Sequence, residues 1–566
     1  MKYWNMECEQ RSDVIFAAGL FAPAYRAKSD FAYFVRNAEQ HLPAIQSYDH
    51  WGKRVDILRT SEGWRKLKDL ACTEGINSIA YEGKYGEYDR VYHFAKYWLY
   101  SPSSVMFVCP LGMTDGAARL IELCDDDELK QNAFQHLTSR DPKQFWTSGQ
   151  WMTEKSGGSD ISNTETVATP IDAANNVWAL NGFKWFCSGC DGDMAMLLAR
   201  PTDSSGGPGS KGLSLYYAET KTNGKSNGVR FHRLKHKLGT KAVPSAEILL
   251  DNMVAKRVGA PGRGVATIST ILNITRLHNA VRPAAAVSRA LAICRDFARK
   301  RNIGATPLTK LSLHSRTLAQ IALSYRIMTH FTFYAIRILG KVEHASRQPI
   351  AQRVVGWQDD AVLLRLLTPI AKGFVAKLAS AALTEACECL GGNGYSEETL
   401  LPRLLRDSIV SSIWEGTTNV LGMDVLRALK DANTLPTYSA AVLSCLKSPH
   451  PQLASCAVTV KNYLSDIQAH IAQINSTLNP EDVDASAREL LMSMGRTLSC
   501  ALMIEHATAT NNEADVIAAR RYASMVETGV EPRLLRMRNA VERREDDIIA
   551  MGESSSSAAF GPPARL

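Results

Sequence analysis

Between Phe145 and about Val265 the hydrophobic pattern of this chain switches from helical spacing to short alternating runs and then back, and no other feature restricts its fold as much. Inside that interval the runs Val177 to Leu180, Ala195 to Leu198, Leu213 to Tyr217 and Ala246 to Leu250 are separated by clusters of Gly, Asn, Asp and Pro. Such runs read as strands joined by polar turns, and the Gly- and Ser-rich stretch Ser204 to Gly212 reads as a mobile loop. Before the interval, Val91, Phe94, Ala95 and Leu99 recur at helical spacing within Asp89 to Tyr100. After it, long Ala- and Leu-rich segments break at Gly304 to Pro307 and at Gly391 to Gly394. The pattern predicts an α+β chain: an α-helical domain over 1–145, a β domain over 146–265, a helical bundle over 266–435, a helical extension over 436–551 and a disordered tail over 552–566. A chain of 566 residues has room for several cores, since domains run to about 100 to 200 residues each.

Composition narrows the partners. Hydrophobic residues at 45% and charged residues at 22% describe an ordinary globular protein. No apolar run approaches the roughly 18 residues of a membrane span, and the patch Val14 to Phe21 lacks a basic leader, so neither membrane insertion nor secretion is expected. The twelve cysteines are too sparse for a disulfide scaffold. Cys187 and Cys190 form a lone C-x-x-C, and His232 and His236 an H-x-x-x-H without a nearby Glu, so no metal site is expected. The formal charge is +8, yet residues 436–566 carry 12 Lys+Arg against 15 Asp+Glu, a net of -3. Arg533, Arg536, Arg538, Arg543 and Arg544 are interleaved with Glu542, Glu545, Asp546 and Asp547, as on a solvated helix face. A nucleic-acid partner is therefore not expected.

Three segments carry chemistry. Met152-Thr-Glu-Lys-Ser-Gly-Gly-Ser-Asp160 places hydroxyls and paired glycines at the opening of the β domain, where glycine lets backbone approach a flat or phosphorylated ligand; the simpler alternative is a Gly-rich turn between strands. Asn181-Gly-Phe-Lys-Trp-Phe-Cys-Ser188 puts aromatics and a hydroxyl on one strand, suited to a flavin ring or merely to a sheet core. The third runs Leu390-Gly-Gly-Asn-Gly-Tyr395, Leu401-Pro-Arg403, Arg406-Asp407, Ile413-Trp-Glu-Gly-Thr-Thr-Asn419 and Asp424-Val-Leu-Arg427.

Taken together, the order and spacing of these segments resemble the acyl-CoA dehydrogenase superfamily from about Tyr48 to Arg427. Met152 to Asp160, the run Arg233-Leu-Lys-His-Lys-Leu-Gly239 and Ile413 to Arg427 point to its AidB-like branch, and the C-terminal extension also fits one subgroup of the superfamily. The resemblance implies bound FAD, with Met152, Thr153 and Ser159 as contacts, Phe186 against the isoalloxazine and Ser188 near N5. It also implies Gly391 and Gly392 approaching the cofactor of a neighbouring subunit in a homotetramer, Thr417 and Asn419 contacting flavin, and Glu415 beside the substrate α-carbon. Arg427 would order the site, although Asp424 three residues earlier also makes it an ordinary surface ion pair. Relatives reach the neighbour's FAD pyrophosphate through an R-x-x-F-G segment; here Lys300-Arg-Asn-Ile-Gly304 keeps the charge and replaces the aromatic.

The implied chemistry is dehydrogenation of an acyl-CoA to the 2-enoyl thioester: a base takes the α-proton while hydride leaves the β-carbon for flavin. Burial raises a carboxylate's pKa and suits it to that task, and Trp414 adjoins Glu415. Some members carry the base on an earlier helix, but no Asp or Glu lies between Asp251 and Asp296, which leaves Glu415. Thr417 or Thr418 is expected to cap the following helix. A nitroalkane or amine oxidase is the enzymatic alternative, and relatives of the nitroalkane type place Asp where Glu415 stands. A DNA-associated flavoprotein is the other. Electrons would pass to an electron-transfer protein or to oxygen. The terminal Ala564-Arg565-Leu566 resembles a peroxisomal address, which favours fatty-acyl or polyketide-like thioesters; without it the cytoplasm is the default.

Overall fold

The computed structural model describes residues 28–203, 205–353, 356–476, 480–528 and 540–551. The patch Val14 to Phe21, Ser204, Asn479, the cluster Arg533, Arg536 and Arg538, and the tail with its terminal tripeptide lie outside the described residues. The described residues form two compact units, divided between His278 and Asn279.

The first unit opens with helix α1 (Lys28–Gln40), then a hairpin of β1 (Ala44–Tyr48) and β2 (Arg54–Arg59), and continues through α2 (Glu62–Thr73), α3 (Asp89–Tyr100) and α4 (Val108–Leu123). The hairpin interrupts the helices of this otherwise helical domain. Its turn is held by Asp49, whose Oδ1 accepts the backbone N–H groups of Trp51 and Lys53, both at 2.9 Å, with Gly52 at φ 77°. Arg54 ties the hairpin to the β region by donating to the Phe231 carbonyl at 2.8 Å.

The β region contains β3 (Ser148–Trp151), β4 (Val167–Asp172), β5 (Val177–Ser188), β6 (Met194–Pro201), β7 (Ser214–Glu219), β8 (Val229–Leu234) and β9 (Ser245–Val258). The four alternating runs read from the sequence fall in β5, β6, β7 and β9, with Leu213 standing one residue before β7. β5 pairs with β4 and β9, β4 with β6, β6 with β7, and β7 with β9, so these five strands close on themselves. Closure removes the exposed edges that an open sheet would have to protect. β3 extends β6 in parallel, and β8 lies antiparallel to β9.

Strand β6 shows why its run is apolar throughout. Ala195, Leu197 and Ala199 join Trp151, Trp178, Tyr216 and Ile248 in one core, while Met194, Met196 and Leu198 join Leu120 and Ile121 of α4 and Ile268 and Ile271 beyond the barrel in another. Both faces are buried, so adjacent residues serve different cores.

Helix α5 (Gly264–Lys300) spans the division between the units. The second unit continues with α6 (Ser312–Arg347), α7 (Trp357–Cys389), α8 (Leu401–Ile409) and α9 (Thr418–Ala428). The predicted extension follows as α10 (Thr434–Cys445), α11 (Ala454–Ser476), α12 (Pro480–Thr510), α13 (Glu513–Thr528) and α14 (Ala540–Met551). α6 packs along α7 and α14, and α12 packs on α7, α9 and α13. Polar ties fasten the extension: Arg326 meets Asp515 at 2.5 Å, and buried Arg295 donates to the Ile549 carbonyl at 3.2 Å and to that of Ala550, near the end of α14. Among the described residues no helix is long and apolar enough to cross a membrane.

Candidate functional site

The glycine-containing segment leaves β3 as a tight turn. Glu154 and Gly157 exchange backbone hydrogen bonds at 3.1 and 3.3 Å, and a Cβ on Gly157 would sit 2.1 Å from the Asp160 carbonyl oxygen, so only glycine fits. The Glu154 side chain turns inward. It accepts from Lys184 Nζ at 2.7 Å, from the Thr166 hydroxyl at 2.5 Å and from the backbone N–H groups of Glu165 and Thr166 at 2.6 and 3.2 Å. Lys184 is fully buried and also donates to the Leu198 carbonyl at 2.8 Å. Although burial opposes ionisation, Lys184 and these donors hold the Glu154 carboxyl below its ordinary value. The pair welds the turn to β5, and the Trp185 N–H donates to the Thr153 carbonyl at 2.9 Å. Met152 and Thr153 are half-buried and Ser159 is exposed.

Strand β5 carries a bulge where it matters. Against β9, Ile248 pairs with Lys184 and Ala246 with Cys187, so three steps along β5 meet two along β9. Trp185 and Phe186 occupy the bulge, and Phe186 is left 49% exposed. Lys235 Nζ lies 3.2 Å from the Trp185 ring centroid and 4.5 Å from that of Phe186, and meets Glu247 at 2.7 Å. Beyond the bulge, Ser188 pairs in register with Ser245, and their hydroxyl oxygens are 2.8 Å apart. Lys237 donates to the Ser245 hydroxyl at 3.0 Å and to the Val243 carbonyl at 2.7 Å.

In the second unit Glu415 lies in the turn between α8 and α9 with φ 57°, followed by Gly416 at φ 100°. A left-handed glutamate is uncommon and costs of order 1 kcal/mol or more, so surrounding contacts must impose it. They are present. Buried Lys372 of α7 donates to the Gly416 carbonyl. The Trp414 indole N–H donates to Asn279 Oδ1 at 2.5 Å, and the Arg282 guanidinium lies 5.0 Å from the Trp414 ring centroid. Arg282 also donates to the Asp407 carbonyl at 2.8 Å and to the Ser411 hydroxyl at 2.5 Å. Trp414 and Glu415 are both half-buried.

Other residues singled out in the sequence are placed as follows. Thr417 is the N-cap of α9 but makes no side-chain cap, and Thr418 is buried inside the first turn, which corrects the capping expectation. The Thr417 carbonyl carries the local bond instead, accepting from the Leu421 N–H at 2.9 Å. Asn419 is exposed and accepts from Arg488 at 3.0 Å. Gly391 and Gly392 are exposed, with nothing within 4 Å of the position a Cβ would take, and Gly391 has φ 57°. Lys300 at the end of α5 is exposed and pairs with Asp296 at 2.8 Å. Arg427 is exposed, 3.7 Å from Asp424, whose nearer partner is Arg365 at 2.6 Å.

Sequence reading missed Lys184, Lys372, Arg282, Asn279, Lys237 and Ser245. A lysine between aromatics in a strand, and an Asn and an Arg three apart on an apolar helix, were available signals of buried polar partners. It also missed a buried cluster in the first unit. One ligand atom each from His93, Asp115 and His278 lie within 4.8 Å of one another. Arg90 donates to both Asp115 oxygens at 2.8 Å, and His278 and Tyr81 approach the same carboxylate at 2.7 Å. A guanidinium thus neutralises Asp115 where a cation would be needed, and the arrangement reads as a structural ion pair.

Four family models follow one another along the chain: adaptive response protein AidB N-terminal domain over 24–142, acyl-CoA dehydrogenase middle domain over 149–253, acyl-CoA dehydrogenase C-terminal domain over 262–430, and acyl-CoA dehydrogenase 11 C-terminal domain-like over 433–538. The chain is 40% identical to acyl-CoA dehydrogenase family member 11 of Caenorhabditis elegans, covering 89% of this chain and 83% of that protein. It is 30% identical to putative acyl-CoA dehydrogenase AidB of Escherichia coli, covering 72% and 73%. The crystal structure of Caenorhabditis elegans ACDH-11 in complex with C11-CoA is similar with a TM-score of 0.83 at 37% identity, covering 96% of this chain and 95% of that one. With its helical, β and helical regions matched in order, the chain belongs to the acyl-CoA dehydrogenase family of FAD-dependent oxidoreductases.

Proposed function

We propose that the protein dehydrogenates an acyl-CoA thioester to its 2-enoyl product, with Glu415 taking the α-proton. The observation that carries this reading is the left-handed Glu415, pinned in its turn by contacts from α5 and α7 on either side. Strain of this kind marks a residue held for a task. Half-buried beside Trp414, its carboxylate is partly withdrawn from water, as a base for a weakly acidic proton requires.

The residues of the β region fit a flavin. The bulge turns the Phe186 ring outward, the glycine turn admits close backbone approach, and Ser188 offers a hydroxyl two residues along the same strand. Met152, Thr153, Ser159, Phe186 and Ser188 would hold the cofactor from the β region, Thr417 and Asn419 are further flavin contacts proposed from the resemblance, and Lys300, Gly391 and Gly392 would meet the cofactor of a neighbouring subunit. FAD when bound supplies the acceptor for the β-hydride. The relative solved with C11-CoA supports a fatty-acyl thioester as substrate. Open exposure at Gly391 and Gly392 supports their approach to a second subunit, in a homotetramer.

Anaerobic titration with acyl-CoAs tests the reading. Flavin bleaching in the native protein, and retained FAD without bleaching in Glu415→Gln, are expected; no bleaching across a broad chain-length panel would overturn it. We also propose a peroxisomal setting, on the terminal Ala564-Arg565-Leu566. A fluorescent fusion lacking those three residues should lose punctate localisation.

A further inference from the structure

Ser188 is linked through one hydroxyl to an ammonium group. Lys237 has three N–H donors and no acceptor, so in its 3.0 Å contact with Ser245 the serine oxygen must accept. Ser245 is only 3% exposed and still has its own proton to place. Among the described residues the acceptor within reach is the Ser188 hydroxyl oxygen at 2.8 Å. Were Ser188 to donate instead, Ser245 would retain a buried proton with no acceptor. The charge of Lys237 acts in the same sense, because a hydroxyl that accepts from a cation donates more strongly. The order is therefore Lys237 to Ser245 to Ser188. Having accepted from Ser245, half-buried Ser188 keeps its proton for an acceptor outside the protein.

We propose that Lys237 and Ser245 are positioning residues that orient the Ser188 hydroxyl as a donor toward the acceptor edge of the flavin ring. The inference rests on the flavin reading of the β region given above and adds to it a fixed proton direction and a charge behind it. A donor aimed at that edge draws electron density from the ring and favours hydride arrival at the same place. Lys237 and Ser245 touch neither ring nor substrate and act only through Ser188. Their placement follows from the fold. Ser245 opens β9 opposite the end of β5, and the loop before it brings Lys237 back across the Val243 carbonyl.

The test compares purified holoenzyme with Lys237→Met, Lys237→Arg and Ser245→Ala. Lys237→Met and Ser245→Ala should each change the visible absorption envelope of bound FAD and slow anaerobic reduction by acyl-CoA about tenfold, with the acyl-CoA KM unchanged. Lys237→Arg, which keeps charge and donors, should restore both. Ser245→Ala is small enough to keep the test decisive if Lys237→Met fails to fold. Native spectra and native reduction rates in a folded Ser245→Ala would overturn the relay while leaving the flavin reading intact. A native protein that binds no FAD would overturn the flavin reading, and the relay with it.

Discussion

The two regions proposed to carry chemistry are held by opposite means. In the β region, Ser188 and Phe186 ride on a strand of a closed barrel, and their places follow from strand register and one bulge. In the helical unit, Glu415 lies in a turn outside any ladder, and its place is set by side chains that reach in from helices distant in sequence: Lys372, Arg282 and Asn279. A barrel spreads the cost of positioning over many backbone hydrogen bonds. A turn concentrates it in a few polar contacts. Disturbing the buried contacts that build the first region should therefore appear mainly as lost stability and cofactor retention, and disturbing Glu415 mainly as lost rate.

The largest effect should come from Glu415 itself. Glu415→Gln should cut the rate of flavin reduction by about 1,000-fold, the scale of a lost general base, with an unchanged melting temperature; stopped-flow reduction beside a thermal melt checks both. A marked loss of stability instead would mean that the turn is a structural element and would break the contrast.

Next is the buried pair of the barrel. Lys184→Met strands the Glu154 carboxylate and should lower stability by about 3 kcal/mol in denaturant unfolding, with FAD released. The double variant Glu154→Gln with Lys184→Met should recover part of it. The same pair carries a pH signature. The folded-state value of Glu154 lies below its unfolded one, so its contribution is complete above about pH 4.3 and is lost as pH falls through the folded value. Acid unfolding should lose that part of its slope in the double variant.

Smaller again, Lys372→Met leaves the Gly416 carbonyl without its lysine donor and should cost about 1 to 2 kcal/mol. The contrast is sharpened if reduction slows by more than stability alone explains, because Glu415 would then have relaxed out of its left-handed conformation. The least effect is expected from Arg427→Ala. With 62% of the side chain exposed and Asp424 kept by Arg365, it should change stability by no more than about 0.5 kcal/mol and leave reduction near the native rate. A fall of tenfold or more would instead give Arg427 a part in ordering the site.

The helix-to-strand switch, the strands themselves and the helix Asp89–Tyr100 were legible because each is written in a short stretch of sequence, a helical period in the helix and short apolar runs between polar turns in the strands. The hairpin β1–β2 was not, because its strands are short and its turn rests on an Asp side chain. Glu415 stood out through its neighbours Trp414, Gly416 and Thr417, all within a few residues. Its left-handed backbone did not, and neither did the lysine and arginine that impose it.

What the sequence determined by itself is therefore what short-range pattern encodes: the order of helical and strand regions, the family-like segments and the carboxylate proposed as the base. What only the tertiary structure decided is which buried polar groups meet. Lys184 finds Glu154 across thirty residues, Lys372 finds Gly416 across forty-four, and Lys237 reaches Ser188 through Ser245 across a strand pairing. A buried donor or acceptor must be paired or its desolvation goes uncompensated, but that requirement names no partner; only chain closure does.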